Sequence, residues 1–229
     1  MYRVTFRCLR DYQIKWINMK LIFNGPEEGP VFIFAHGAGA PLTSDFMTQV
    51  TSGLVEQGIR VVRFNFNYMQ QRIETGSRRP PERAPHLIKQ FLDVIQRFDQ
   101  SIVIGGKSMG GRMATLVAAE IDSTLMENVK GIACLGYPFH PQGKPEKLRI
   151  EHLPSINKPL AIIQGSRDKL GDQFEVKSYS LPTTINWCWL EDGDHDFKPR
   201  IKSGLTHQQH IKSTVEYLAS YIKACHCNA

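Results

Sequence analysis

The sequence predicts an α/β layered protein with a mostly parallel central sheet and helices on both faces. Three observations carry this. First, short apolar runs rich in Val and Ile recur along the chain: VFIFAH (31–36), IRVVRFNF (59–66), SIVIGG (101–106), VKGIACLGY (129–137), PLAIIQG (159–165) and TINWCWL (184–190). Their Gly, Pro and Asp boundaries and Val/Ile content suit strands buried on both faces. Second, helical periodicity lies between most of them, and this alternation is the pattern of an α/β fold. Third, the chain begins differently, with strand-like alternation and no intervening helix.

Taken in order, residues 2–9 alternate Tyr2, Val4, Phe6 and Cys8 with Arg3, Thr5 and Arg7. That is a half-buried strand, expected at a sheet edge. Residues 14–22 give a second, less regular strand, so an antiparallel hairpin is expected before the parallel sheet. GPEEGP (25–30) is turn punctuation. Thr43 and Ser44 are candidate caps for a helix with Phe46, Val50 and Leu54 on one face. Asn67 to Pro85 reads as a loop carrying Arg72, Arg78, Arg79 and Arg83, stiffened by Pro80 and Pro81. Leu87, Phe91, Ile95 and Phe98 repeat at helical spacing, and so do Ile211, Val215, Leu218 and Ile222.

The 229 residues suffice for one sizeable core, so a single domain over 1–229 is expected. Hydrophobic residues are 41% and charged residues 22%, as in an ordinary globular chain. The net charge is +6, but no Lys/Arg run exceeds two residues. The basic balance therefore does not imply a nucleic-acid partner. No apolar run approaches the roughly 20 residues of a membrane helix, and no membrane partner is expected. The five cysteines are odd in number, and the opening MYRVTFRCLRDYQIKW holds no apolar signal region. Free thiols and a cytoplasmic location are expected. Cys225-His226-Cys227 lacks a second pair of matching spacing, so it is read as a frayed tail and no metal is expected.

GGKSMGGR (105–112) carries the chemistry. A phosphate loop would need Gly at 101, which is Ser101, and the residues that follow read as strand. The alternative is G-x-S-x-G, a sharp turn between a buried strand and a helix that presents a nucleophilic serine. Ile102-Val103-Ile104 supplies the strand, and Met109 to Glu120 supplies the helix. Gly106, Gly110 and Gly111 meet the need for small flanking residues. Ser108 is the expected nucleophile.

A serine hydroxyl needs a base and an orienting acid. In α/β-hydrolases they follow in the order Ser, Asp/Glu, His, each in a loop after a strand. Asp168 follows PLAIIQG and His195 follows TINWCWLEDGD, so Ser108, Asp168 and His195 are the expected catalytic set. Asp172 is the alternative acid. Asp194 and Asp196 neighbour His195 in sequence and point away from its ring. His86, His152, His207, His210 and His226 are expected at the surface, His140 breaks the chain order, and His36 is expected to shape a loop. The oxyanion hole is expected from the Met109 N–H and from Ala38 in HGAGAP, with Gly39 as the alternative.

HGAGAP, FNFNYM, RRPPERAP, GGKSMGGRMA, QGSRDKLG and DGDHDFKPR together resemble a known group of α/β-hydrolases. These are related to testis-expressed protein thirty and to regulatory subunit three of the nuclear NSL acetyltransferase complex. Bacterial members are dienelactone-hydrolase-like. The resemblance runs from about Val31 to the last helix and implies the same triad, Ser108, Asp168 and His195. The group more often has Pro in place of Asn67. Dienelactone hydrolases proper use a cysteine nucleophile where this chain has Ser108, so that substrate does not carry over.

The sequence thus predicts an α/β-hydrolase fold with little or no cap domain and a serine hydrolase of carboxylic esters or thioesters, needing no cofactor. A hydrolase-fold binding module is the alternative. The expected partner is a small ester. Arg78 and Arg79 are candidate contacts for an anionic group on it, and a solvated loop or a protein-binding loop are the other readings.

Overall fold

The structure, a computed structural model, describes residues 19–120 and 126–227. Apolar runs become strands and periodic segments become helices in this order: β1 (Leu21–Asn24), β2 (Val31–Ala35), α1 (Asp45–Glu56), β3 (Arg60–Phe64), α2 (Asn67–Thr75), α3 (Ala84–Ile95), β4 (Ile102–Lys107), α4 (Met109–Glu120), β5 (Val129–Leu135), β6 (Leu160–Gly165), α5 (Gln173–Lys177), β7 (Asn186–Leu190) and α6 (His207–Cys227). The strands form one sheet in the order β1-β3-β2-β4-β5-β6-β7. β1 is antiparallel to β3, and every other pairing is parallel.

Alternation along each strand splits the core into two layers. In β2, Val31, Ile33 and Ala35 face one layer and Phe32 and Phe34 the other. In β5, Ile132 and Cys134 are set against Ala133 and Leu135. The first layer is completed by α3 and α4 through Phe91, Ile95, Met113 and Val117. The second is completed by α1 and α6 through Met47, Val50, Leu54, Ile211, Val215, Leu218 and Ile222. Helices on both faces follow from strands that are apolar on both sides.

The described residues depart from expectation in four places. Of the strand expected at 14–22, residues 14–18 lie outside the described residues and β1 takes up Leu21 and Ile22, running on to Asn24, while the strand expected at 2–9 falls outside the described residues altogether. The first helix starts after Ser44, whose side chain makes no capping bond. Asn67 to Thr75 is helix rather than loop, with Tyr68 and Met69 buried and Gly76 ending it at φ 67. Asn67 stands at its first position, and its N–H donates to Gln90 Oε1 at 2.8 Å, a bond that a Pro there could not make. Finally, α6 runs through Cys225 and Cys227, so this segment is not a frayed tail. His226 Nε2 accepts the Val31 N–H, which ties that helix end to β2. No helix among the described residues is long and apolar enough to cross a membrane.

Most segments between strands carry a helix, whereas the one from β5 to β6, residues 136–159, is largely irregular, with one short helical turn at Leu153–Ser155. β4 turns into α4 within one residue, Ser108. That turn is possible only because its neighbours lack side chains. A Cβ on Gly106 would lie 2.5 Å from the Gly110 carbonyl carbon and 2.6 Å from the Ala35 oxygen. On Gly110 it would lie 2.5 Å from the Ala35 oxygen. Gly106→Ala is therefore expected to destabilise the protein by about 3 kcal/mol. Urea unfolding followed by circular dichroism checks this, and a midpoint equal to the parent's would contradict it.

Candidate active site

Ser108 has φ 51, left-handed backbone for a non-glycine residue. Its N–H donates to Leu135 O at 2.9 Å, and its carbonyl accepts the Arg112 N–H at 3.0 Å. The strand and the helix thus pin the turn from both sides. Its Oγ lies 2.9 Å from His195 Nε2. His195 Nδ1 lies 2.7 Å from Asp168 Oδ2. A carboxylate can only accept, so Nδ1 carries the proton, and Nε2 is left to accept from the serine. The three expected residues, far apart in sequence, form one hydrogen-bonded chain.

Asp168 is fully buried. Its Oδ1 accepts the Leu170 N–H at 2.9 Å, and its Oδ2 also accepts from Gln164 Nε2 at 2.9 Å. Gln164 is itself fixed, since its Oε1 accepts the Tyr137 N–H at 2.7 Å. No motif marks Gln164. The one signal available was a polar residue inside the apolar run of β6, a strand buried on both faces. Asp172 is occupied elsewhere, capping α5 by accepting the Phe174 and Glu175 N–H groups.

The loop bearing His195 is held by charge and strain. Among the described residues, the non-glycine positions with positive φ are Ser108, Asp192 and Phe197, and all lie at or beside this site. Arg200, through hydrogen bonds from its side chain and its backbone N–H, holds the Asp192 carboxyl below the usual carboxylate range, and the charge of Arg167 adds to this. Asp194 Oδ1 accepts the Asp196 and Lys198 N–H groups and shapes the turn. Lys107, next to the serine, is only 7% exposed. Its Nζ donates to His195 O at 2.5 Å and pairs with Asp196 at 3.5 Å. The ammonium also lies 5.3 Å from the Phe46 ring centre and 5.7 Å from that of Phe197. Burial lowers the Lys107 pKa, opposed by Asp196, Asp168 and Asp194. Nothing in the residue pattern separates Lys107 from the rest of its motif.

The HGAGAP loop is tied from below. His36 Nδ1 donates to Gly37 O at 2.6 Å, and its Nε2 accepts the Phe66 N–H at 3.1 Å. Tyr68 OH donates to Ala38 O at 3.0 Å, so the unexpected helix α2 supports this loop. Among the described residues, the Ala38 and Met109 N–H groups have no protein acceptor. Ala38 and Ser108 sit where two cavities meet. One, of about 640 Å³, is lined by Phe46, Lys107, His195 and Lys198 among others. The second, of about 360 Å³, includes Met109, Arg112, Met113, Arg149 and Leu170.

Arg78 and Arg79 line neither cavity. They lie on the exposed stretch after Gly76, because α2 takes up the residues expected to be loop. The arginines that do line the second cavity, Arg112 and Arg149, come from α4 and from the segment after β5. Three histidines expected at the surface are also placed otherwise. His210 is 5% exposed and its Nδ1 lies 2.8 Å from Phe197 O, His152 meets Thr115 Oγ1, and His226 is half-buried. Helical context says nothing about which helix face carries them.

A family model described as alpha/beta hydrolase domain matches residues 28–223, and the chain belongs to that family. Dienelactone hydrolase from Anabaena variabilis superposes with a TM-score of 0.66 at 15% identity, over 92% of this chain and 94% of that one. Est1E from Butyrivibrio proteoclasticus gives 0.64 at 16% identity, over 90% and 95%. An alpha-beta serine hydrolase homologue from Coxiella burnetii gives 0.63 at 17% identity, over 89% and 91%. At such identities the likeness is one of fold.

Burial pushes both His36 and His152 down to about 4 from an ordinary 6.5, with the Arg112 charge adding to the effect at His152. The unfolded chain takes up these protons first as pH falls. Stability is therefore expected to fall between about pH 6.5 and 4, a loss that begins before the carboxylates titrate. Thermal unfolding at pH 7 and pH 5 reads this loss. His36→Gln or His152→Gln should flatten it, and an unaltered slope in both variants would contradict the assignment.

Proposed function

We propose that the protein is a serine hydrolase that cleaves a carboxylic ester or thioester through an acyl-enzyme. The observation that carries this is the hydrogen-bonded series Ser108 Oγ, His195 Nε2, His195 Nδ1 and Asp168 Oδ2. Family membership supports hydrolase chemistry in general. Closer kinship with the testis-expressed protein thirty group is part of the same proposal and rests on motifs such as GGKSMGGRMA and DGDHDFKPR. So is a single domain spanning the chain.

In this mechanism Ser108 Oγ attacks the substrate carbonyl carbon as His195 Nε2 takes its proton. Asp168 keeps the ring oriented and stabilises the imidazolium. The carbonyl oxygen becomes an oxyanion facing the Ala38 and Met109 N–H groups, each such donor contributing about 3–4 kcal/mol to the transition state. Met109 opens α4, whose partial positive N-terminus adds to the effect. The tetrahedral species collapses, the carbon–oxygen or carbon–sulfur bond to the leaving group breaks, and the leaving group takes the proton from His195. Water then repeats the sequence on the acyl-serine, and the acid departs. Every step uses side chains and amides of this chain.

A fluorophosphonate probe is expected to label Ser108, located by peptide mass spectrometry. Ser108→Ala and His195→Ala should abolish labelling. Asp168→Asn should slow ester turnover by about ten-thousand-fold, because the neutral amide no longer selects the working tautomer of His195. Folded protein that resists the probe would sink the proposal and leave the hydrolase-fold binding module as its replacement.

A further inference from the structure

The two cavities that meet at Ser108 divide the substrate between them. His195 must hand its proton to the departing oxygen or sulfur, so the leaving group belongs on the side that His195 lines, with Lys107 and Lys198. The acyl chain then extends into the smaller cavity beside Met109. Its lining combines apolar side chains, Met113, Leu87 and Leu170, with two cationic ones, Arg112 and Arg149.

Among the described residues, neither guanidinium forms an ion pair or donates a hydrogen bond, and the Arg112 Nε is buried with no acceptor. A buried donor left this way costs free energy unless water or a ligand satisfies it, and a ligand anion would do so most strongly. The two guanidinium groups also stand close enough for Arg112, after burial, to depress the Arg149 pKa. Like charges held together in a cavity favour an anion between them. Glu82 is the acidic residue of the lining, and its Oε2 is already engaged by Gln90 Nε2 at 2.7 Å. Arg149 is anchored at its backbone: its N–H donates to Phe139 O at 2.8 Å, and its carbonyl accepts Tyr137 OH at 2.8 Å.

We propose that this cavity is an acyl subsite for chains ending in a carboxylate, held by Arg112 and Arg149, which makes short dicarboxylic half-esters or half-thioesters the preferred substrate class. It rests on the hydrolase activity proposed above. The cavity's volume of about 360 Å³ suits a short chain, and Arg112 and Ser108 both line it. Planar guanidinium groups bind carboxylates through paired hydrogen bonds, and two of them converging on one cavity select for charge as well as length.

The test compares ethyl hydrogen succinate with ethyl butyrate, which differ at the far end of an equally long acyl chain. Ethanol release gives kcat/KM for each, and fluorophosphonate labelling of Ser108 is followed in the same preparations. The wild type is expected to prefer the succinate. Arg112→Met and Arg149→Met should each lower the succinate-to-butyrate ratio by about 10- to 100-fold, and Arg149→Lys should recover part of it. Arg149 is half-buried, so its variant keeps the test open if Arg112→Met does not fold. A wild type that turns over butyrate without preferring succinate overturns the subsite alone, as do variants in which both esters slow by one factor. Absent labelling together with absent turnover of both esters overturns the hydrolase proposal and the subsite with it.

Discussion

The arrangement around Ser108 depends on one close approach, that of the β4–α4 turn to the end of β2. The Gly106 and Gly110 backbones come so near to Ala35 that no side chain fits between them. This contact holds Ser108 at a positive φ, points its Oγ out of the sheet, and sets the first N–H of α4 beside it. It also places the HGAGAP loop, which continues from β2, across from that N–H. If the turn moved by an ångström, the serine, the helix terminus and the loop would lose their common focus. The same logic applies at β6, where a Cβ on Gly165 would lie 2.4 Å from the Gly193 and Asp194 oxygens. The loop carrying His195 thus packs directly on the strand that leads to Asp168.

Electrostatics complete what packing begins. Asp168 is a buried carboxylate, and it stays satisfied because Gln164, the Leu170 N–H and His195 surround it. Lys107 supplies a buried cation on the other side of the His195 loop, offset by Asp196 and by aromatic faces. Three residues at sparsely populated φ values cluster here, and the salt bridges of Asp192 hold the backbone that contains one of them. Strain, buried charge and unpartnered N–H groups are costly separately. Their concentration in one place is what distinguishes this end of the sheet from the rest of the described chain.

Strands were the most legible elements. Six apolar runs became β2 to β7 with boundaries shifted by a residue or two, because strands inside a sheet covered on both faces are mostly apolar. Helices with a clear apolar face, α1, α3 and α6, were equally plain. The helix α2 was missed because its exposed Gln, Arg and Glu residues read as loop, and only Tyr68 and Met69 reach the core. His152 and His210 were misplaced for a related reason. Local composition does not tell which side of an element meets another, so a polar residue in a polar neighbourhood can still be buried.

By itself the sequence determined the order of β2 to β7 and of the helices α1, α3, α4 and α6, the glycines that a strand-to-helix turn requires, and the order Ser108, Asp168, His195. The elements and the glycines are local demands of backbone sterics, written in residues near one another, and the order of the three follows from which strand each one ends. Tertiary structure alone decided the rest. It chose Asp168 over Asp172 by committing Asp172 to a helix cap. It left Arg78 and Arg79 in solvent and brought Arg112 and Arg149 to the cavity wall. It also set Gln164 behind Asp168 and Lys107 beneath His195. Each of these depends on which residues distant in sequence become neighbours. No local pattern encodes that, because long side chains take their partners from the packed surroundings rather than from the residues beside them.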